Sequence, residues 1–152
     1  MTEIRDGGLD DPQVIDLLRV HLEEVRAKPT PGGAHVLDLS GLKRPDISFW
    51  SAWRDGALLG CSAIRELDST HGEIKSMRTA PDQLRRGAGA ALMAHMLGVA
   101  RQRGYRRLSL ETGATPEFEP AQALYRQLGF TWCDPFGDYV AHPLSRFMTK
   151  PL

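Results

Sequence analysis

The chain has 152 residues, 41% hydrophobic and 25% charged, enough for one core of ordinary size and hardly two, so a single domain over 1–152 is expected. Lys plus Arg and Asp plus Glu each total 19, which excludes the strongly basic balance of a dedicated nucleic-acid binder. Apolar stretches such as 57–64 fall far short of the roughly 18 residues of a membrane span. The first residues carry charges and no apolar leader-like run, and Cys61 and Cys133 lie in strand-like contexts that suit buried thiols rather than a disulfide. A soluble, cytoplasmic protein is expected, with neither membrane nor nucleic acid as partner.

An amphipathic helix is predicted from Asp11: Asp at the N-cap, Pro12 at the first helical position, then Val14, Leu18, Leu22 and Val25 until Lys28-Pro29. Residues 29–46 are dense in Pro and Gly around the short apolar piece Val36 to Leu39 and read as a loop or broken helix of the kind that lines a substrate mouth. Two β-prone runs, Ile47–Trp53 and Ala57–Leu67, joined through Asp55-Gly56, make a hairpin. In the run His71–Thr79, strict alternation puts Ile74, Ser76 and Arg78 on one face and Glu73, Lys75, Met77 and Thr79 on the other, so ionisable groups occupy both faces. Trp50 and Trp53, three apart, point to opposite faces, one to the core and the other towards an acceptor pocket.

A helix follows over 87–103 with Leu92, Met93, Met96, Leu97 and Ala100 on its buried face and Gly104 at its C-terminus. Residues 106–112 alternate as a strand. A further helix opens near Pro120, carries Ala121, Leu124, Tyr125 and Leu128 on one face and ends at Gly129. Strands at 130–133 and 146–149 close the pattern. The order is β-α-(loop)-β-β-β-α-β-α-β-β, an α/β class with a mixed central sheet flanked by helices.

The turn before the 87–103 helix is the most informative segment. Gly87 and Gly89 let the first helical N–H groups approach an anion, the helix dipole favours negative charge there, and Arg85 and Arg86 stand at the same end. From Lys75 to Arg107 there are eight basic residues and one acidic, Asp82, so the neutral total hides a positive strip. A Walker A loop is excluded by the missing lysine and hydroxyl, and a dinucleotide fingerprint by Leu92 where its third glycine belongs. Two glycines opening a helix with solvated arginines is the plain structural alternative.

The stretch Gly72-Glu73-Ile74-Lys75-Ser76-Met77-Arg78-Thr79-Ala80-Pro81, then Leu84-Arg85-Arg86-Gly87-Ala88-Gly89-Ala90-Ala91-Leu92-Met93, together with Ala121-Gln122-Ala123-Leu124-Tyr125-Arg126-Gln127-Leu128-Gly129-Phe130, resembles the strand, pyrophosphate loop and second signature of the GNAT superfamily of N-acetyltransferases, and the ending 135–148 looks like a small bacterial subgroup. Leu84 stands where that pattern has Gln or Arg, and Phe118 where Asn is common. The resemblance implies a GNAT-type fold and acetyl-CoA as cosubstrate, held by the main chain of Met77, Arg78 and Thr79 and by Arg85, Arg86, Gly87, Ala88, Gly89 and Ala90. It implies Glu73 as the base, on the Met77 face of its strand, and Tyr125 as the acid or thiol contact, with direct acetyl transfer to the primary amine of a small molecule.

Alternatives stand beside these. A protein lysine or N-terminus is an alternative acceptor, and a non-catalytic acyl-CoA sensor an alternative activity. Glu73 as a salt-bridge partner, Tyr125 as packing, and a water chain, His71 or His142 as base are alternative roles. Arg78 or Arg146 is a candidate grip for an acceptor carboxylate. No metal-ligand spacing is present, and a homodimer is an allowed assembly.

Overall fold

The computed structural model describes residues 2–27 and 38–152. Their elements are β1 (Glu3–Asp6), α1 (Pro12–Arg26), α2 (Leu39–Leu42), β2 (Ile47–Arg54), β3 (Ala57–Asp68), β4 (His71–Thr79), α3 (Ala88–Gln102), β5 (Arg107–Gly113), α4 (Glu119–Gln127), β6 (Thr131–Cys133) and β7 (Ser145–Pro151). This is the expected order. The 29–37 part of the loop expected over 29–46 lies outside the described residues, and its remainder contains the one-turn α2, whose Gly41 N–H is accepted by the Asp38 carboxylate at 2.8 Å.

One seven-stranded sheet runs β1-β2-β3-β4-β5-β7-β6. Every pairing is antiparallel except β4 with β5, whose crossover is α3. The Asp-Gly turn works as its composition requires: Asp55 and Gly56 both take left-handed φ, 51° and 78°, which matches the twist of the β2–β3 hairpin. Hydrophobic residues alternate to two faces. Trp50, Leu59, Ile64, Ile74, Leu108, Leu110 and Met148 meet Leu92, Met93 and Met96 of α3, whereas Phe49, Trp53, Leu58, Cys61 and Ala63 meet Val14, Leu17 and Leu18 of α1.

Two expectations are corrected here. Trp50 and Trp53 do take opposite faces, but both are 3% exposed and belong to the two cores, so neither lines an acceptor pocket. The alternation expected along β4 also breaks. Cys61 pairs with Arg78 and Ala63 with Lys75, so three steps of β4 lie opposite two of β3, and Ser76 takes φ +56° in the resulting bulge. Past the bulge the faces exchange. Arg78 joins Glu73 and Lys75 on the α1 face and ion-pairs with Glu24 of α1, while Met77 packs with Ile74 on the α3 face. Glu73 and Met77 are therefore on opposite faces, and the charged side chains of β4 gather on one.

Candidate active site

β4 and β5 pair only from His71 with Arg107 to Ile74 with Leu110. Beyond that point β4 stays on β3 and β5 stays on β7, so the facing edges of Lys75–Thr79 and Glu111–Gly113 diverge with no ladder across the gap. Peptide groups left without partners in this way are strong sites for a ligand that carries amides of its own. At the end of β5 the Phe118 ring lies against Gly113 so closely that a Cβ there would come within 2.1 Å of it. Phe118, where the resemblance leads one to expect Asn, thus packs its ring on Gly113.

The turn after β4 stands at the open end of this gap because it follows Thr79 directly. Arg85 and Gly87 take left-handed φ, 65° and 78°, on either side of Arg86, and Gly87 caps α3 without a side chain. Alternation of this kind turns successive N–H groups to one side and forms an anion-binding concavity, which the positive end of α3 reinforces. Arg85 and Arg86 are exposed and make no ion pair among the described residues, and Leu84 is 62% exposed. Ala88 is buried, Ala90 exposed, and Gly89 gives α3 its close approach to Leu124 of α4. The loop residues expected to hold a pyrophosphate are therefore together at its edge, with Arg85, Arg86, Gly87 and Ala90 exposed.

On the α1 face, at the root of the gap, Glu73 is 1% exposed. The Tyr139 hydroxyl donates to its Oε2 at 2.5 Å, and Lys75 Nζ lies 3.4 Å from the same oxygen and 3.2 Å from the Tyr139 hydroxyl. Burial, then the charge of Glu73, pushes the Tyr139 hydroxyl far above its ordinary value, so it stays protonated and serves as donor. Burial lowers Lys75, opposed by Glu73. The other oxygen, Glu73 Oε1, is buried without a hydrogen-bond partner among the described residues. Glu73 lines a cavity of about 190 Å³ with Arg65, Leu67 and the 136–139 segment. Phe136, Tyr139 and Phe147 pack edge to face and tilted, with centroids 5.2 to 5.8 Å apart, and hold that segment over the cavity.

Tyr125 belongs to the α3 face, buried, tilted against Phe130 at 6.1 Å, with burial raising its hydroxyl to about 12. Glu73 and Tyr125 thus lie on opposite faces of the sheet and do not touch. Of the candidate grips and reserve bases, His71 borders the Glu73 cluster, its ring centroid 5.8 Å from that of Phe136. Arg78 is engaged by Glu24, and Arg146 stacks on Trp132 at 3.4 Å from the ring centre on the α3 face. His71 Nε2 meets Ser109 Oγ at 2.7 Å, lowered chiefly by burial, while His142 Nδ1 accepts the exposed Leu144 N–H. Among the described residues no group of three or more His, Cys, Asp and Glu could hold a metal ion, and both cysteines are free thiols.

The profile of the Acetyltransferase (GNAT) family matches residues 15–130, which include both flanks of the gap and the anion turn. The chain belongs to the GNAT family. It is an acetyltransferase, with relatives along nearly its whole length. The Bacillus subtilis (strain 168) protein named "Uncharacterized N-acetyltransferase YsnE" is 47% identical over 149 residues, 98% of this chain and 99% of the relative. An IAA acetyltransferase of Azospirillum brasilense is 41% identical over 120 residues, 78% and 76% of the two chains. Among solved structures, the Klebsiella pneumoniae protein named "putative acyl-CoA N-acyltransferase" superposes with a TM-score of 0.79 at 31% identity, covering 100% of this chain and 98% of that one. This GNAT chain has three residues in the cluster that sequence reasoning passed over as site residues: Lys75, whose strand neighbour Glu73 was the only signal, and Arg65 and Tyr139, for which a carboxylate buried across the sheet gives no local sign.

Proposed function

We propose that the chain transfers the acetyl group of acetyl-CoA to the primary amine of a small molecule by direct attack, with residues 1–152 working as one cytoplasmic N-acetyltransferase domain and no metal taking part. The observation that carries this reading is the divergence of β4 and β5, with the anion turn at its open end and the buried carboxylate at its root. Acetyl-CoA supplies an activated thioester. The main chain of Met77, Arg78 and Thr79 pairs with its amides, and the N–H groups of Arg85–Ala90, helped by the Arg85 and Arg86 side chains, hold its pyrophosphate.

An acceptor amine arrives as an ammonium and must lose a proton before it can attack. Glu73 takes that proton on Oε1, because Tyr139 and Lys75 already occupy Oε2. Nitrogen then bonds to the thioester carbon while an N–H group near Met77 stabilises the charge developing on the carbonyl oxygen. The C–S bond breaks, nitrogen gives up its second proton, the sulfur leaves protonated as a thiol, and one proton is released overall. Tyr125 sits on the other face of the sheet. With its hydroxyl raised to about 12 against roughly 8.5 for an ordinary thiol, it serves as a hydrogen-bond donor to the departing sulfur rather than as its proton source.

A small acceptor is supported by the cavity of about 190 Å³ over Glu73 and by the name of the Azospirillum brasilense relative. The test is acetyl-CoA-dependent thiol release across a panel of amines, with mass-spectrometric detection of the product. Release with amines and acetylated product supports the reading. Tight coenzyme A binding with no acceptor turned over would favour an acyl-CoA sensor.

A further inference from the structure

The cavity on the α1 face is lined by two residues of opposite charge, each with one buried atom that lacks a hydrogen bond among the described residues. Glu73 Oε1 is one. The other is Arg65 Nε on β3, buried without a hydrogen-bond partner among the described residues. Arg65 and Glu73 are direct cross-strand partners on the same face, a position at which they could bond to each other. They do not. Glu73 is taken by Tyr139 and Lys75, and Arg65 Nε reaches only to 3.5 Å from Asp46 Oδ2, an oxygen already accepting from Arg44 at 3.1 Å. A carboxylate and a guanidinium therefore line one small cavity, each with a buried atom that makes no hydrogen bond among the described residues.

We propose that the amine acceptor carries a carboxylate: a compact amino acid whose ammonium docks on Glu73 Oε1 and whose carboxylate docks on the Arg65 guanidinium. This rests on the N-acetyltransferase reading and names its substrate class. A planar guanidinium pairs with a carboxylate through parallel hydrogen bonds, which fixes the acceptor's orientation as well as its affinity. The volume of about 190 Å³ equals roughly six waters at about 30 Å³ each, room for a small amino acid and not for a folded peptide segment. A diamine fits the charges less well, since its second ammonium would meet Arg65 with Lys75 beside it. Asp138 also lines the cavity, but it is exposed, so solvent screens its repulsion of a carboxylate.

The test compares matched acceptors at saturating acetyl-CoA: α-amino acids, their carboxamides, the decarboxylated amines, 1,4-diaminobutane and a lysine-containing peptide. Amino acids are expected to exceed their carboxamides by about 10²-fold or more in kcat/KM, because the carboxamide leaves the guanidinium unpaired. Arg65→Met is expected to abolish that preference through KM, and Arg65→Lys to restore part of it. Carboxamides equal to acids, or diamine or peptide preferred over acids, would overturn the proposal; this comparison uses the unmodified protein and does not depend on how the variants fold. Calorimetry of the same amino acids with protein saturated with coenzyme A separates the two readings. If no amine is turned over, N-acetyl transfer fails, and amino-acid binding lost in Arg65→Met still upholds the site, whereas no binding rejects it.

Discussion

Glu73 holds one oxygen in protein hydrogen bonds and keeps the other buried without a partner among the described residues, so a substitution that keeps the shape and removes the charge is the sharpest probe of its role. Glu73→Gln is expected to lower kcat by roughly 10²-fold or more, while the rise in melting temperature caused by coenzyme A stays as in the parent. Tyr139→Phe tests the support rather than the base. It removes the donor at 2.5 Å from a buried carboxylate oxygen and leaves Lys75 alone on it. Stability in urea is expected to fall by about 1–3 kcal/mol, with kcat reduced less than in Glu73→Gln and coenzyme A affinity unchanged. Tyr125→Phe separates chemistry from packing, because the ring stays against Phe130. A lower kcat at an unchanged melting temperature is expected of a donor to sulfur. Normal kcat with a lowered melting temperature would make Tyr125 structural.

At the scale of elements, the anion turn depends on Gly87 at φ +78° with open space around the position of a Cβ. Gly87→Glu is expected to abolish the coenzyme A-induced thermal shift by placing a negative charge where the phosphates bind. Gly87→Asn, which tolerates left-handed φ, is expected to retain most of it; equal shifts in both variants would place the pyrophosphate elsewhere. The turn was legible in the sequence, as were the helices and strands, because glycine placement and apolar period are local properties. The faces of β4 were not. Alternation counts residues evenly, whereas Ser76 adds one step to the strand, and only pairing with Cys61 and Ala63 reveals it. The expectation that put Glu73 with Met77 failed for that reason. The partner of Glu73 was out of reach for a different one: Tyr139 is 66 residues away, in a loop whose residues show no period that would aim a side chain at β4.

At the scale of the molecule, α1 and the sheet are tied by charges as well as by apolar contact, and one of these groups makes stability depend on pH. His21 of α1 has its Nδ1 buried without a hydrogen-bond partner among the described residues, and burial, then Arg78, lowers it to about 4. Between about 6.5 and about 4 the unfolded chain binds a proton that the folded chain refuses. The contribution of His21 is thus complete above the upper value, lost as pH falls through the window, and levels off below the lower one. Because the residue is half-buried, the loss is expected to be on the order of 2 kcal/mol. Urea titrations at pH 7 and pH 4.5 measure it, and His21→Gln is expected to flatten the difference; an unaltered slope in that variant would assign the acid sensitivity to other groups.

The position of β7 has a consequence for synthesis. This strand is last among the described elements, yet it lies between β5 and β6, and Phe147 on it helps to seat the Phe136–Tyr139 segment over Glu73. A chain still emerging from the ribosome can form the β2–β3–β4 meander and α3 early, from contacts close in sequence. It then holds the anion turn but neither the outer flank of the gap nor the donor on the base. A nascent or C-terminally clipped form is therefore expected to sequester the cosubstrate poorly and to transfer nothing, so that competence arrives in a single late step with residues 145–151.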